Sequence, residues 1–162
     1  MDKILKKLTF GHYIVTTRKP SEEMSTRDKD YLAAGTVNWV TQLSIDPVRI
    51  GIGIQLHHDL NETIEKSRNF TVHILEEGQE NLVKQFSKDS SITSEKINQI
   101  GFEIGENGAP LLSKGIGYIE CKVVDRLTIG DHSLFVGEVV AHDLINDAMP
   151  LCTMQTGMIY EG

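Results

Sequence analysis

The run Val48-Arg49-Ile50-Gly51-Ile52-Gly53-Ile54 alternates apolar residues with polar or small ones, which is the period of a strand. Similar alternation, or clustered β-branched residues, predicts strands at Tyr13 to Thr17, Leu32 to Gln42, Arg49 to Gln55, Phe70 to Leu75, Tyr118 to Asp125 and Ser133 to Val140. Between the last two, Ile129-Gly130-Asp131-His132 carries a Gly-Asp tight-turn signal, so they form a hairpin or near-hairpin. Helices are predicted over residues 2 to 9, from Asp59, over Gln79 to Phe86 and over Ser94 to Ile100. Asp59 stands as the N-cap of its helix with Glu62 as capping-box partner, and Leu60, Thr63, Ile64 and Ser67 face inward. Lys19 to Asp30 reads as a polar connection and Asp46-Pro47 as a turn. Strands interrupted by a few helices, without regular β-α-β alternation, imply a mainly β protein with flanking helices, built as an antiparallel barrel.

Composition narrows the class. At 162 residues and 40% hydrophobic content the chain can bury one core, and no Pro/Gly/Ser-rich linker divides it, so residues 1–162 read as a single domain. No apolar run reaches the ~18 residues of a membrane span, and Met1 to Lys7 lacks the apolar stretch of a signal peptide. A net charge of -7 with no basic stripe argues against nucleic acid as a partner. A cytoplasmic protein is expected. Cys121 and Cys152 form no C-x-x-C, and no two histidines have the i, i+4 spacing of a zinc helix. His57 and His58 are adjacent, and on extended chain they point opposite ways, so no metal site is expected.

Candidate chemistry gathers in a few places. Val37 to Pro47 places the only tryptophan, Trp39, among small polar residues, just ahead of the Gly51/Gly53 pair. That combination suits a flat aromatic ligand held largely by backbone groups; a core tryptophan is the alternative. Gly51-Ile52-Gly53 is no dinucleotide fingerprint, because it lies inside a strand and Leu56 stands where the third glycine would be. His57 and His58, with Asn61 and the free N–H groups of the helix start, suit a phosphate; solvent-facing loop histidines are the other reading. His132, beside the hairpin turn, is either an exposed turn residue or a ligand contact. Without a Gly-x-Ser-x-Gly elbow or a signature activating Cys121, nucleophilic hydrolysis has no support.

From Leu8 to about Ala141 the chain resembles the flavin reductase-like family of FMN-binding split barrels. Leu8-Thr9-Phe10-Gly11-His12-Tyr13-Ile14-Val15-Thr16-Thr17 is similar to that family's first helix-to-strand passage. Asn38-Trp39-Val40-Thr41-Gln42-Leu43-Ser44-Ile45-Asp46-Pro47 resembles its flavin-contacting strand and loop. Phe70 to Leu75, Gly108-Ala109-Pro110-Leu111-Leu112, Tyr118 to Cys121 and Gly130 to Val139 complete the series in order. The Trp-Val-Thr-Gln version is similar to the reductase modules of diflavin flavoproteins.

The resemblance implies an antiparallel FMN-binding split barrel that works as a homodimer, with FMN at the subunit interface. It implies that Asn38, Trp39, Val40, Thr41, Gln42 and Ser44 hold the isoalloxazine and that Gln55, His57, His58 and Asn61 hold the ribityl phosphate. Asp131 and His132 would border the nicotinamide of NADH or NADPH. The flavin would carry the chemistry without a catalytic side chain, passing electrons to a second flavin or a protein electron acceptor. The alternative is an FMN electron-transfer module reduced by a protein partner; a non-redox flavin or haem binder is a third reading. Many relatives have Lys, Ser and Thr where this chain has Leu56, His58 and Leu60.

Overall fold

In the computed structural model, which describes residues 3–19 and 31–158, two strands consecutive in sequence occupy opposite edges of one sheet. They are β2 (Leu32–Val37) and β3 (Val40–Ile45). Between them run β1 (Tyr13–Arg18), β5 (Asn69–Ile74), β9 (Gly117–Ile129), β10 (His132–Leu144) and β4 (Val48–Gln55), so the order is β2-β1-β5-β9-β10-β4-β3. Every pairing is antiparallel. Asn38 and Trp39 alone separate β2 from β3, and two residues span roughly 7 Å at most. The sheet must therefore curl until its edges meet, leaving a split where this link crosses. Register shifts at Val136/Gly137 and Val139/Ala141 of β10, and at Gln42/Ser44 of β3, bend the strands. The family's antiparallel split barrel is what results.

The barrel interior is filled by Val15, Ile52, Phe70, Val72, Cys121 and Phe135, all fully buried. Helix α1 (Asp59–Ser67) closes it with Leu60 and Ile64. A second apolar cluster lies on the outer face of the sheet, where Ile14, Leu75 and Leu151 meet Val83 and Phe86 of α2 (Glu80–Phe86). The short strands β6 (Lys96–Ile97), β7 (Ile100–Ile104) and β8 (Pro110–Leu112) form a separate three-stranded sheet beside that cluster. A final turn of helix, α3 (Thr153–Thr156), lies near the start of β1, bridged to it through Gly11 and Cys152.

Four expectations need correcting. The strand expected over Leu32 to Gln42 is two strands, because the chain changes hydrogen-bonding partner at Asn38-Trp39. The helix expected over residues 2 to 9 is only a 3₁₀ turn, Leu5–Lys7, with no buried residue; an unpacked helix that short cannot sustain itself. The helix expected over Ser94 to Ile100 is a β6–β7 hairpin. Thr93 Oγ1 accepts from the Glu95 and Lys96 N–H groups, and Asn98 and Gln99 adopt φ of 49° and 69°, so local side-chain bonding wins over helix propensity. The N-cap of α1 is His58, not Asp59: its Nδ1 accepts the Leu60 N–H at 3.1 Å, and Glu62 pairs with Lys66 instead of closing a capping box. Most of the polar connection expected from Lys19 to Asp30 lies outside the described residues. Among the described residues, no helix is long and apolar enough to cross a membrane.

Candidate functional site

A cavity of about 630 Å³ opens where the Asn38-Trp39 link crosses the split. Its apolar wall comes from Val37, Ile54, Leu60, Val83 and Phe86, and its polar groups from His12, Asn38, Gln55, His58, Lys84 and Lys88. A second cavity of about 320 Å³ is lined by Val40, Thr41, Asp131 and His132. Trp39 and Gly53 line both.

The indole is held from below. Gly53 N–H donates to the Trp39 carbonyl at 2.9 Å, and a Cβ on Gly53 would sit 3.1 Å from the ring. Gly51 is covered in the same way by Leu43, whose Cδ1 would stand 2.7 Å from an added Cβ. The glycine pair thus makes room for the side chains of Trp39, in the link, and Leu43, on β3.

The β9–β10 hairpin closes through Gly130 and Asp131, with Gly130 at a φ of 60°, as a tight turn requires. His132 is nevertheless 7% exposed, so the exposed-turn alternative does not describe it; Asp131 is the exposed member. Its Nδ1–H donates to Asp131 Oδ1 at 2.6 Å, and its ring lies against Trp39. That hydrogen bond, followed by the charge of the imidazole, lowers the Asp131 carboxyl below its ordinary range.

Of the residues expected at the phosphate, Gln55 and His58 line the large cavity. The His58 ring packs over Gly35, where a Cβ would come within 3.1 Å. His57 is exposed and lines a smaller neighbouring hollow, which shares His58 and Lys88 with the large cavity, but not the large cavity itself. Asn61 does not reach the cavity. It is 2% exposed, donating to the Ile54 carbonyl at 2.9 Å and accepting from Arg126 and Ser133. The helix start also offers fewer free donors than expected, since His58 already accepts the Leu60 and Asn61 N–H groups. Gln42 and Ser44 lie on the edge strand β3, where the Gln42 amide donates to the Ser44 carbonyl, and neither lines either of these two cavities.

The sequence reading overlooked Lys84, Lys88 and His12. Lys84 lies in the last turn of α2 and Lys88 two residues beyond its end, past the C-cap Ser87, and the fold brings both to the cavity rim. His12 is 1% exposed in front of β1 and gave no sequence signal beyond its position. Burial lowers its pKa from the ordinary histidine value, opposed by the Glu80 carboxylate.

The sequence profile of the flavin reductase like domain matches residues 5–160. The ferric-chelate reductase (NAD(P)H) of Archaeoglobus fulgidus is 32% identical over 144 residues, covering 88% of this chain and 80% of that protein. A Nostoc sp. protein named diflavin flavoprotein A 3 is 30% identical over 133 residues, which is 82% of this chain but 22% of the relative. The chain thus spans about a fifth of the length of such diflavin relatives. Among solved structures, the flavin reductase HpaC complexed with NADP+ aligns with a TM-score of 0.73 at 28% identity, over 92% of this chain and 88% of that one. An NADH:FAD oxidoreductase of Streptomyces globisporus gives a TM-score of 0.76 at 22% identity, over 93% and 84%, and so shares the fold.

Proposed function

The chain belongs to the flavin reductase-like family, and from that premise we propose that it is an NAD(P)H:flavin oxidoreductase holding FMN in the large cavity. The observation that carries this reading is the pair of cavities sharing Trp39, one sized and charged for a flavin and the other bordered by His132. At about 630 Å³ the larger lies within the usual range for small-molecule sites. Its apolar wall suits an isoalloxazine face, the Asn38 amide an edge, and Lys84, Lys88 and His58 a terminal phosphate. Those three groups stand in for the Lys, Ser and Thr that many relatives have at positions 56, 58 and 60.

When bound, the flavin would supply the redox chemistry, taking a hydride from the nicotinamide and passing electrons to a second flavin or protein acceptor. The chain's part is positional. Trp39 and Gly53 line both cavities, and the Asp131–His132 pair fixes an imidazole in the smaller one. Val40 and Thr41 complete the nucleotide side. Proximity and orientation are what such a site contributes to a step that needs no side-chain acid or base.

FMN is preferred over FAD because one cluster of cations suits one terminal phosphate. A homodimer is part of the proposal: edge strand β3 and the start of β4 expose Leu43, Ile45 and Val48, with Ile45 84% exposed. A second reading, an electron-transfer module fed by a protein partner, is favoured by the diflavin relatives, in which the matching segment is a fraction of a longer chain. Anaerobic addition of NADH or NADPH to the flavin-loaded protein tests the choice. Rapid bleaching of the flavin's visible absorbance is expected, and a flavin left oxidised by both nucleotides but reduced by a protein donor would establish the second reading.

A further inference from the structure

We propose that His12 is a positioning residue of this site: it locks the Asn38 amide with its nitrogen turned inward, so that Oδ1 is presented to the cavity as acceptor for the imide N–H of the flavin ring. The inference rests on the flavin reading above. Both hydrogens of Asn38 Nδ2 are engaged, one to the Gly11 carbonyl at 3.1 Å and one to His12 Nδ1 at 3.0 Å. A backbone carbonyl can only accept, so the Gly11 contact fixes which end of the amide faces inward. His12 Nδ1 must then be the acceptor, and the ring proton sits on Nε2, which donates to Thr156 Oγ1 at 2.8 Å. Thr156 Oγ1 also accepts from the Met158 N–H at 3.1 Å, so the relay ends in a group able to take both donors.

Donor counting thus sets the whole chain, from the turn after α3 through the imidazole to Asn38. Burial disfavours the charged ring, in the same sense as the neutral imidazole that the hydrogen-bond relay requires. Among the described residues no donor reaches Asn38 Oδ1, which is left as the acceptor this side chain offers the cavity it lines. An oxidised isoalloxazine has a single ring N–H, at the imide between its two carbonyls. An acceptor fixed at the cavity wall selects that edge. The ring is thereby oriented as well as held.

The test measures binding, not turnover. Apoprotein is titrated with FMN and with N3-methyl-FMN, which lacks the imide proton, following flavin fluorescence. His12→Leu is expected to weaken FMN about tenfold, the size of one lost hydrogen bond, and to leave N3-methyl-FMN unchanged. His12→Asn, which returns an amide oxygen near the Nδ1 position, is expected to restore most of the FMN affinity. Thr156→Val removes the far end of the relay and keeps the test open if His12→Leu fails to fold; a smaller loss confined to FMN is expected. Equal losses for the two flavins, or none for either, overturn the positioning role alone. A wild-type chain that binds no flavin overturns both this inference and the function it rests on.

Discussion

The indole of Trp39 lies against the imidazole of His132, ring centroids 4.6 Å apart and planes tilted by 37°. The family resemblance assigns these residues to different ligand halves, and the ring contact joins Trp39, which lines both cavities, to His132, which lines the smaller. Replacing His132 should therefore be felt on both sides. His132→Ala is expected to lower kcat/KM for the nicotinamide nucleotide about tenfold or more, with bound flavin retained. Because Trp39 is the chain's only tryptophan, its emission reports the loss directly. Unchanged emission together with wild-type kinetics for NADH and NADPH would show that the stack has no part in nucleotide use.

β4, β5 and the β9–β10 hairpin fall where alternating residue types place them and β1 where β-branched residues cluster, although β1 and β5 are buried on both faces. The point at which Leu32 to Gln42 divides was not. β2 and β3 are both extended, and what changes at Asn38-Trp39 is the hydrogen-bonding partner, a tertiary property that leaves no mark on periodicity. Asn38, Trp39, His58 and His132 were legible as candidates because unusual residue types stood beside turns, whereas Gln55 came only with the family resemblance. Lys84 and Lys88 belong to no motif, and only the fold brings the end of α2 and the residues after it to the cavity. Asn61 was misleading for a physical reason: an amide at a helix start can serve a ligand or the protein, and here Ile54, Arg126 and Ser133 claim it.

The cationic side of the large cavity predicts a discrimination between phosphorylated and unphosphorylated flavin. Lys84→Ala with Lys88→Ala should weaken FMN several-fold while barely altering riboflavin, and raised salt should shrink the difference. His58→Ala should act in the same direction, whereas His57→Ala should do nothing, since His57 lines the neighbouring hollow and not the large cavity. Parallel titrations of the two flavins by fluorescence check this. Equal losses would remove the phosphate from this wall.

Gly137 predicts a packing limit in the barrel. A Cβ there would lie 2.5 Å from Phe70 Cζ and 2.6 Å from Cys121 Cβ, both belonging to fully buried residues. Neither neighbour has room to retreat in a close-packed core. Gly137→Ala should cost about 1–3 kcal/mol, read as a lower denaturation midpoint. Gly78→Ala makes a contrast: an added Cβ meets nothing within 4 Å, but its φ of 91° imposes backbone strain. Its penalty should be smaller than that of Gly137→Ala and should persist whatever the size of the side chain.

His73 predicts how stability depends on pH. It is 1% exposed; its Nε2 accepts the Leu112 N–H at 3.0 Å, so the ring proton on Nδ1 goes to the Ile14 carbonyl at 3.1 Å. Burial pushes its pKa down to about 4, against the smaller opposing effect of the Ile14 hydrogen bond. The unfolded chain takes up this proton near pH 6.5 and the folded chain only near 4, so between those values the unfolded state binds more protons. The contribution, about 3 kcal/mol at most, is complete above pH 6.5 and is lost as pH falls towards 4. His12, also held down by burial, acts in the same sense. Urea denaturation at pH 7.5, 6, 5 and 4 should show stability falling through this interval, and His73→Gln should flatten the fall. A wild-type slope that survives in His73→Gln would assign the acid sensitivity to other groups.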